Sequence, residues 1–159
     1  MIKDPHLFVA ATIADGVDES YMQYLLSSVG ESSSESEGFY GGKPFGEGLE
    51  RWIKRAPGFH LDQLQTPLRI EAITARSILS EWEIYASLWG QEKPVDLVYV
   101  PNGQHILQRP LERMASQQGN VDWFRFWLTG DEDADPAKAE QYARWRTLMR
   151  LRTKKRNPD

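Results

Sequence analysis

The residues best spaced to do chemistry lie in one run: Val95-Asp96-Leu97-Val98-Tyr99-Val100-Pro101-Asn102-Gly103-Gln104-His105. An apolar stretch of β type meets a Pro-Asn-Gly turn and then an imidazole. If the stretch is a strand of a parallel sheet, the turn sets His105 at the carboxyl edge, where open α/β sheets place their active sites. An imidazole there can take up a proton and return it. On spacing alone, a structural or merely exposed histidine stays open beside a general base. Other chemistries find less support. There is no cysteine, which excludes a thiolate nucleophile, a disulfide scaffold and a Cys-ligated zinc. His6, His60 and His105 are scattered, so no metal site is expected. Gly38-Phe39-Tyr40-Gly41-Gly42 follows no strand and lacks the Lys-Ser/Thr ending of a phosphate loop.

The elements that must position His105 are read from periodicity and punctuation. Residues 6–14 are apolar on both faces, as in a buried parallel strand, and stop at Asp15-Gly16. A short helix is predicted over 21–28. The Ser, Glu and Gly-rich stretch 30–48 is predicted as a mobile loop, and another short helix covers 49–55. Residues 67–73 form the second strand, with Leu68, Ile70 and Ala72 alternating with Arg69, Glu71 and Ile73. A helix over 80–89 carries the stripe Trp82, Tyr85, Ala86 and Trp89. The third strand is 95–100. A long helical stretch over 111–128 is interrupted by Gly119-Asn120. Its aromatics Trp123, Phe124, Phe126 and Trp127 read as core. Asp135-Pro136 starts the last helix, which runs to about Leu151 and leaves 152–159 as a basic, frayed tail. The order β-α-α-β-α-β-α-α argues for an α/β fold with a parallel sheet. Three strands are few for such a sheet, so further neighbours are expected.

Length and charge agree with part of a domain or one small one: 159 residues, net charge −4. The charge is uneven. Residues 1–50 hold nine acids and two bases, and residues 140–159 hold seven bases and two acids. The basic end could meet phosphate backbones. A solvated helix face serves as well, with Trp145 packing beside Tyr142, Leu148 and Met149. No apolar run approaches the ~20 residues of a membrane helix. The start carries no signal-peptide core, so a cytoplasmic protein is expected.

Several segments in order carry a resemblance. They are Ala56-Pro57-Gly58-Phe59-His60-Leu61-Asp62 with Thr66-Pro67-Leu68-Arg69-Ile70, then Ala86-Ser87-Leu88, then Pro94-Val95 through His105, then Asp122-Trp123-Phe124-Arg125-Phe126-Trp127-Leu128. Together they resemble the carboxy-terminal part of the prolyl oligopeptidase family of serine peptidases. Asp131 through Tyr142, with Arg144-Trp145, resembles more narrowly a bacterial branch that includes the lasso-peptide isopeptidases. The resemblance implies the carboxy-terminal part of an α/β-hydrolase, with about three parallel strands plus crossover and terminal helices. It also implies a triad in the order serine, acid, histidine. His105 matches the catalytic histidine by position. The nucleophile elbow G-x-S-x-G is absent, and Gly30-Glu31-Ser32-Ser33-Ser34 does not fit it. The elbow serine is therefore expected upstream of Met1, and the chain alone is expected to be inactive. The acid should follow the second strand, at Ala75 or Ser77, yet 74–80 holds no carboxylate. Glu81 is the first after it, an orienting acid or a solvated helix residue; Glu83 is the next. Asp15 and Asp18 would line the substrate pocket or serve as turn and helix cap. The implied partner is a peptide, with no cofactor, no metal and no membrane. A degenerate, non-catalytic remnant or binding module of the same fold is the alternative. A half-sheet would also expose an edge strand and invite self-association.

Overall fold

The computed structural model describes residues 1–4, 6–16, 19–28 and 33–156. Three strands, β1 (Ala11–Ala14), β2 (Leu68–Ala72) and β3 (Val95–Tyr99), form a parallel sheet in the order β1-β2-β3. Ala11 pairs with Leu68, and Leu68 with Val95. Helices α1 (Tyr21–Ser28), α2 (Ser33–Tyr40) and α3 (Glu47–Arg55) and a 3-10 segment (Pro57–Gln63) connect β1 to β2. Helix α4 (Ala75–Gly90) connects β2 to β3. Helix α5 (Pro110–Thr129), a 3-10 turn (Pro136–Lys138) and helix α6 (Ala139–Arg156) follow. The α/β class and the parallel sheet expected from the element order are present. No helix among the described residues is long and apolar enough to cross a membrane.

The strands are shorter than their apolar runs. β1 begins at Ala11, whereas Leu7, Phe8 and Val9 are exposed. The ladder opens where two prolines stand level: Ala11 N donates to Pro67 O, and Leu68 N to Pro94 O. Proline has no N–H to continue pairing upstream. β2 is buried along its whole length because both faces are covered. Leu68 and Ile70 pack with Leu61, Leu64, Ile84, Leu88 and Val95 on the α4 side. Arg69 and Glu71 face α5: the Arg69 guanidinium meets Glu71 Oε1 at 2.5 Å and Asn120 Oδ1 at 2.8 Å, and Ser116 donates to Glu71 Oε2 at 2.6 Å. Two aromatic clusters finish the core. One joins Ala10 to Trp123, Phe126, Trp127, Tyr142, Trp145 and Leu148. The other holds Tyr24, Tyr40, Trp52 and Ala56.

Four local expectations are corrected. Helix α5 is unbroken through Gly119-Asn120. Gly119 is there for space, because a Cβ would collide with the buried Arg69 guanidinium. The stretch 30–48 is not loop throughout: α2 forms, and its last residue Tyr40 is buried against Trp52, ring centroids 4.4 Å apart. Residues 30–32 of that stretch lie outside the described part. Helix α4 starts at Ala75, not Ser80, and the stripe Trp82, Ala86 and Trp89 is its exposed side, with Tyr85 half-buried. The buried side is Ser77, Ser80, Glu81, Ile84 and Leu88. Helix α6 continues past Leu151 to Arg156. Asp135-Pro136 starts the 3-10 turn that leads into it: Asp135 Oδ1 accepts from Ala137 N at 2.9 Å with Pro136 at the first position.

Candidate functional site

Parallel pairing puts the carboxyl ends of all three strands at one edge. Each end is fixed differently. At the β1 exit, Asp15 N donates to Glu71 O at 2.9 Å, which extends the ladder by one residue. Asp15 then turns with φ 49°, in the left-handed region. That costs a non-glycine residue about 1 kcal/mol and needs support from its surroundings. The support comes from behind. Glu81, fully buried on α4, accepts the Gly16 N–H with Oε1 at 2.6 Å, and Gln23 Nε2 donates to Gly16 O at 2.9 Å.

At the β2 exit, Thr74 and Ser77 form a reciprocal cap. Thr74 Oγ1 accepts from Ser77 N at 2.9 Å, and Ser77 Oγ accepts from Thr74 N at 2.7 Å. Ala75 is the first residue of α4. The position where an acid was expected thus works as a helix start, a polar motif that satisfies two backbone amides.

At the β3 exit, Val100 N donates to Ala72 O and Gly103 N to Val100 O. Asn102 takes φ 63°. Gly103 sits against Ile73: a Cβ would lie 2.6 Å from both Ile73 Cγ2 and Ile73 O. This wedge delivers His105 back across the edge. Its Nδ1 lies 2.5 Å from Asp15 Oδ2. A carboxylate can only accept, so Nδ1 donates and carries the proton. The Asp15 side chain is 15% exposed and the His105 side chain 76%. So exposed a pair adds less than about 1 kcal/mol to stability.

Asp15 and His105, proposed from sequence in separate roles, are therefore brought together. Glu81 is not at the imidazole but one layer behind, on the Gly16 amide. Glu83 accepts from Met22 N at 2.8 Å and ties α4 to α1. Asp18 lies outside the described residues. The Asp15–His105 contact spans 90 residues of sequence. Only the parallel register, with strands ~4.8 Å apart, could have hinted that the first and third exits converge. Among the described residues no group of three or more His, Asp or Glu side chains is placed to hold a metal ion. A cleft of about 640 Å³ lined by His6, Phe8, Gln65, Gln91, Lys93 and Arg152 opens at the opposite, amino edge of the sheet and shares no residue with the pair.

No family model matches the chain. It is 36% identical over 107 residues to the lasso peptide isopeptidase AtxE2 of Asticcacaulis excentricus, across 67% of this chain and 15% of that protein. Two solved structures of the AtxE2 isopeptidase share the fold. The apo form has TM-score 0.75 and a variant with Astexin3-dC4 bound has 0.72, each at 30% identity over 95% of this chain. The chain spans 23% of those solved chains. A three-stranded parallel sheet with its crossover and terminal helices fits the carboxy-terminal part of an α/β-hydrolase. Sequence and fold agree: the chain is similar to part of AtxE2, an enzyme of the prolyl oligopeptidase family.

Proposed function

We propose that this chain supplies the histidine side of an acyl-transfer site that hydrolyses peptide or isopeptide amides. The observation that carries the reading is His105 at the carboxyl edge of the sheet with Nδ1 already engaged. That engagement leaves Nε2 as the nitrogen for proton transfer. A serine hydroxyl, supplied from outside these 159 residues, would give its proton to Nε2 as its oxygen attacks the amide carbon. The protonated ring would return that proton to the departing amine. Water would then release the acyl group by the same route, so the histidine ends as it began. The test is complementation. The 159-residue chain alone is expected to turn over no activated ester and to take no fluorophosphonate label. Mixed with an α/β-hydrolase segment that carries the elbow serine, it should give labelling of that serine, lost in H105A. Labelling of the chain alone would sink the reading.

A non-catalytic reading, as a degenerate remnant or binding module, has one observation in its favour. The β2 exit holds the Thr74–Ser77 cap where the family resemblance places an acid. Absence of labelling in every mixture, with peptide binding retained, would favour it.

A further inference from the structure

We propose that Asp15, on the β1 exit, is the positioning residue that fixes the His105 imidazole, and that Glu81 braces it. The inference rests on His105 being the base, but its test does not need a nucleophile. Three observations carry it. First, the β2 exit has no carboxylate to offer: Ser77 is occupied with the Thr74 amide, and Glu81 is turned to Gly16. Second, Asp15 Oδ2 meets His105 Nδ1 at 2.5 Å, the contact an orienting acid makes. Third, the turn that presents Asp15 is held more firmly than a surface pair needs. Asp15 sits at a left-handed backbone angle, its amide is locked to Glu71 O, and the next amide is locked to a fully buried carboxylate. A left-handed turn held through its amides by a fully buried side chain is the kind of support that sites receive, and an exposed ion pair does not need it. The acid role has in effect moved one strand along the sheet, from the second exit to the first.

The tautomer of the neutral imidazole is the readout, because a purely structural role for Asp15 would not move it. In the ¹⁵N-labelled chain, long-range proton–nitrogen correlations separate Nδ1–H from Nε2–H. His105 is expected to favour Nδ1–H. His60 serves as an internal contrast, since its Nδ1 accepts from Gln63 Nε2 at 3.3 Å and its proton must sit on Nε2. In D15G the His105 ratio should swing toward Nε2–H by a few-fold, up to about fivefold, the most that so exposed a pair allows, with His60 unchanged. Glycine adopts the Asp15 backbone angle freely, so this variant keeps the turn. E81L removes the acceptor for Gly16 without touching the ring and should move His105 the same way. An Nε2–H wild type, or an unmoved ratio in D15G, means an incidental surface pair and overturns the proposal. An unmoved ratio in folded E81L overturns the bracing role. The complementation test can fail while this one succeeds, and the reverse, so the two readings fail separately.

Discussion

At the scale of single residues, the site depends on close approach as much as on charge. Gly103 has no room for a methyl group, and one of the two atoms it would strike is the Ile73 carbonyl, which cannot swing aside. Gly103→Ala is therefore expected to cost about 2–3 kcal/mol. It should also displace the His105 loop, seen as a lower urea midpoint together with a shifted His105 resonance. A second dependence lies away from the site. Trp145 Nε1 donates to the buried Asp96 carboxylate at 2.6 Å, with Arg144 Nε at 3.5 Å as its other partner. Trp145→Phe keeps much of the ring volume and removes the donor, so about 2 kcal/mol of stability should go. Had the indole been there for bulk alone, the loss in urea unfolding would be under half of that.

Elements tell how far local patterns reach. Helix α5 gives a sign test. An exposed helical glycine replaced by alanine gains up to about 1 kcal/mol. At Gly119 the methyl would meet a guanidinium pinned by Glu71 and Asn120, so Gly119→Ala should instead destabilise by about 1–2 kcal/mol in thermal or urea unfolding. The junction into α6 is stapled by Lys138, which reaches buried Asp122 at 2.8 Å and Asp133 at 2.6 Å. The hydrogen bond that Lys138 donates to Asp122, then the one it donates to Asp133, holds its ammonium above its ordinary value, and Lys138 in turn holds Asp133 below the usual carboxylate range. A depressed carboxyl contributes stability that is present above its unfolded value near ~4 and lost as pH falls through the lower folded value. A raised ammonium contributes stability that is present below ~10.4 and lost only as pH rises beyond it. The staple thus holds across neutral pH and loosens first in acid, which amide exchange at Ala137 and Lys138 would report. Lys138→Met should cost about 3 kcal/mol, the low end for a broken buried pair, because Gln118 and Gln141 still donate to Asp122. What sequence made legible follows the same division. The three parallel strands with helical crossovers, the Asp135-Pro136 start and the aromatics of α5 and α6 are local signals, and they read correctly, although α2 was missed. The buried side of α4 did not, because it carries polar groups, Ser77 and Ser80 bonded to backbone three residues before them and Glu81 to the distant Gly16 amide, while its apolar stripe stays outside. Asp15 beside His105 was illegible for a similar reason: two unremarkable turn residues meet only once the register is set.

At the scale of the whole molecule, the described residues form one three-stranded sheet, and among them both outer strands have an edge without a strand partner. Such edges pair readily with other chains. The chain is expected to self-associate at concentrations where a capped sheet would stay monomeric. Light scattering after size exclusion would show it, and a sharp monomer at every concentration would count against it. The basic end of α6 is predicted to add no nucleic-acid affinity of note; strong retention on heparin that weakens with salt would say otherwise. One contact from the fold has a further meaning in time. The Trp123 indole donates to Ala11 O across 112 residues, and Arg152 reaches Val9 O across 143. The first strand therefore leaves the ribosome more than a hundred residues before the helices that cover it. During translation β1 must wait, one face bare, until the segment around Trp123 has followed it out. Its brevity then has a use: four residues are little for a passing strand to seize while the chain is still on the ribosome.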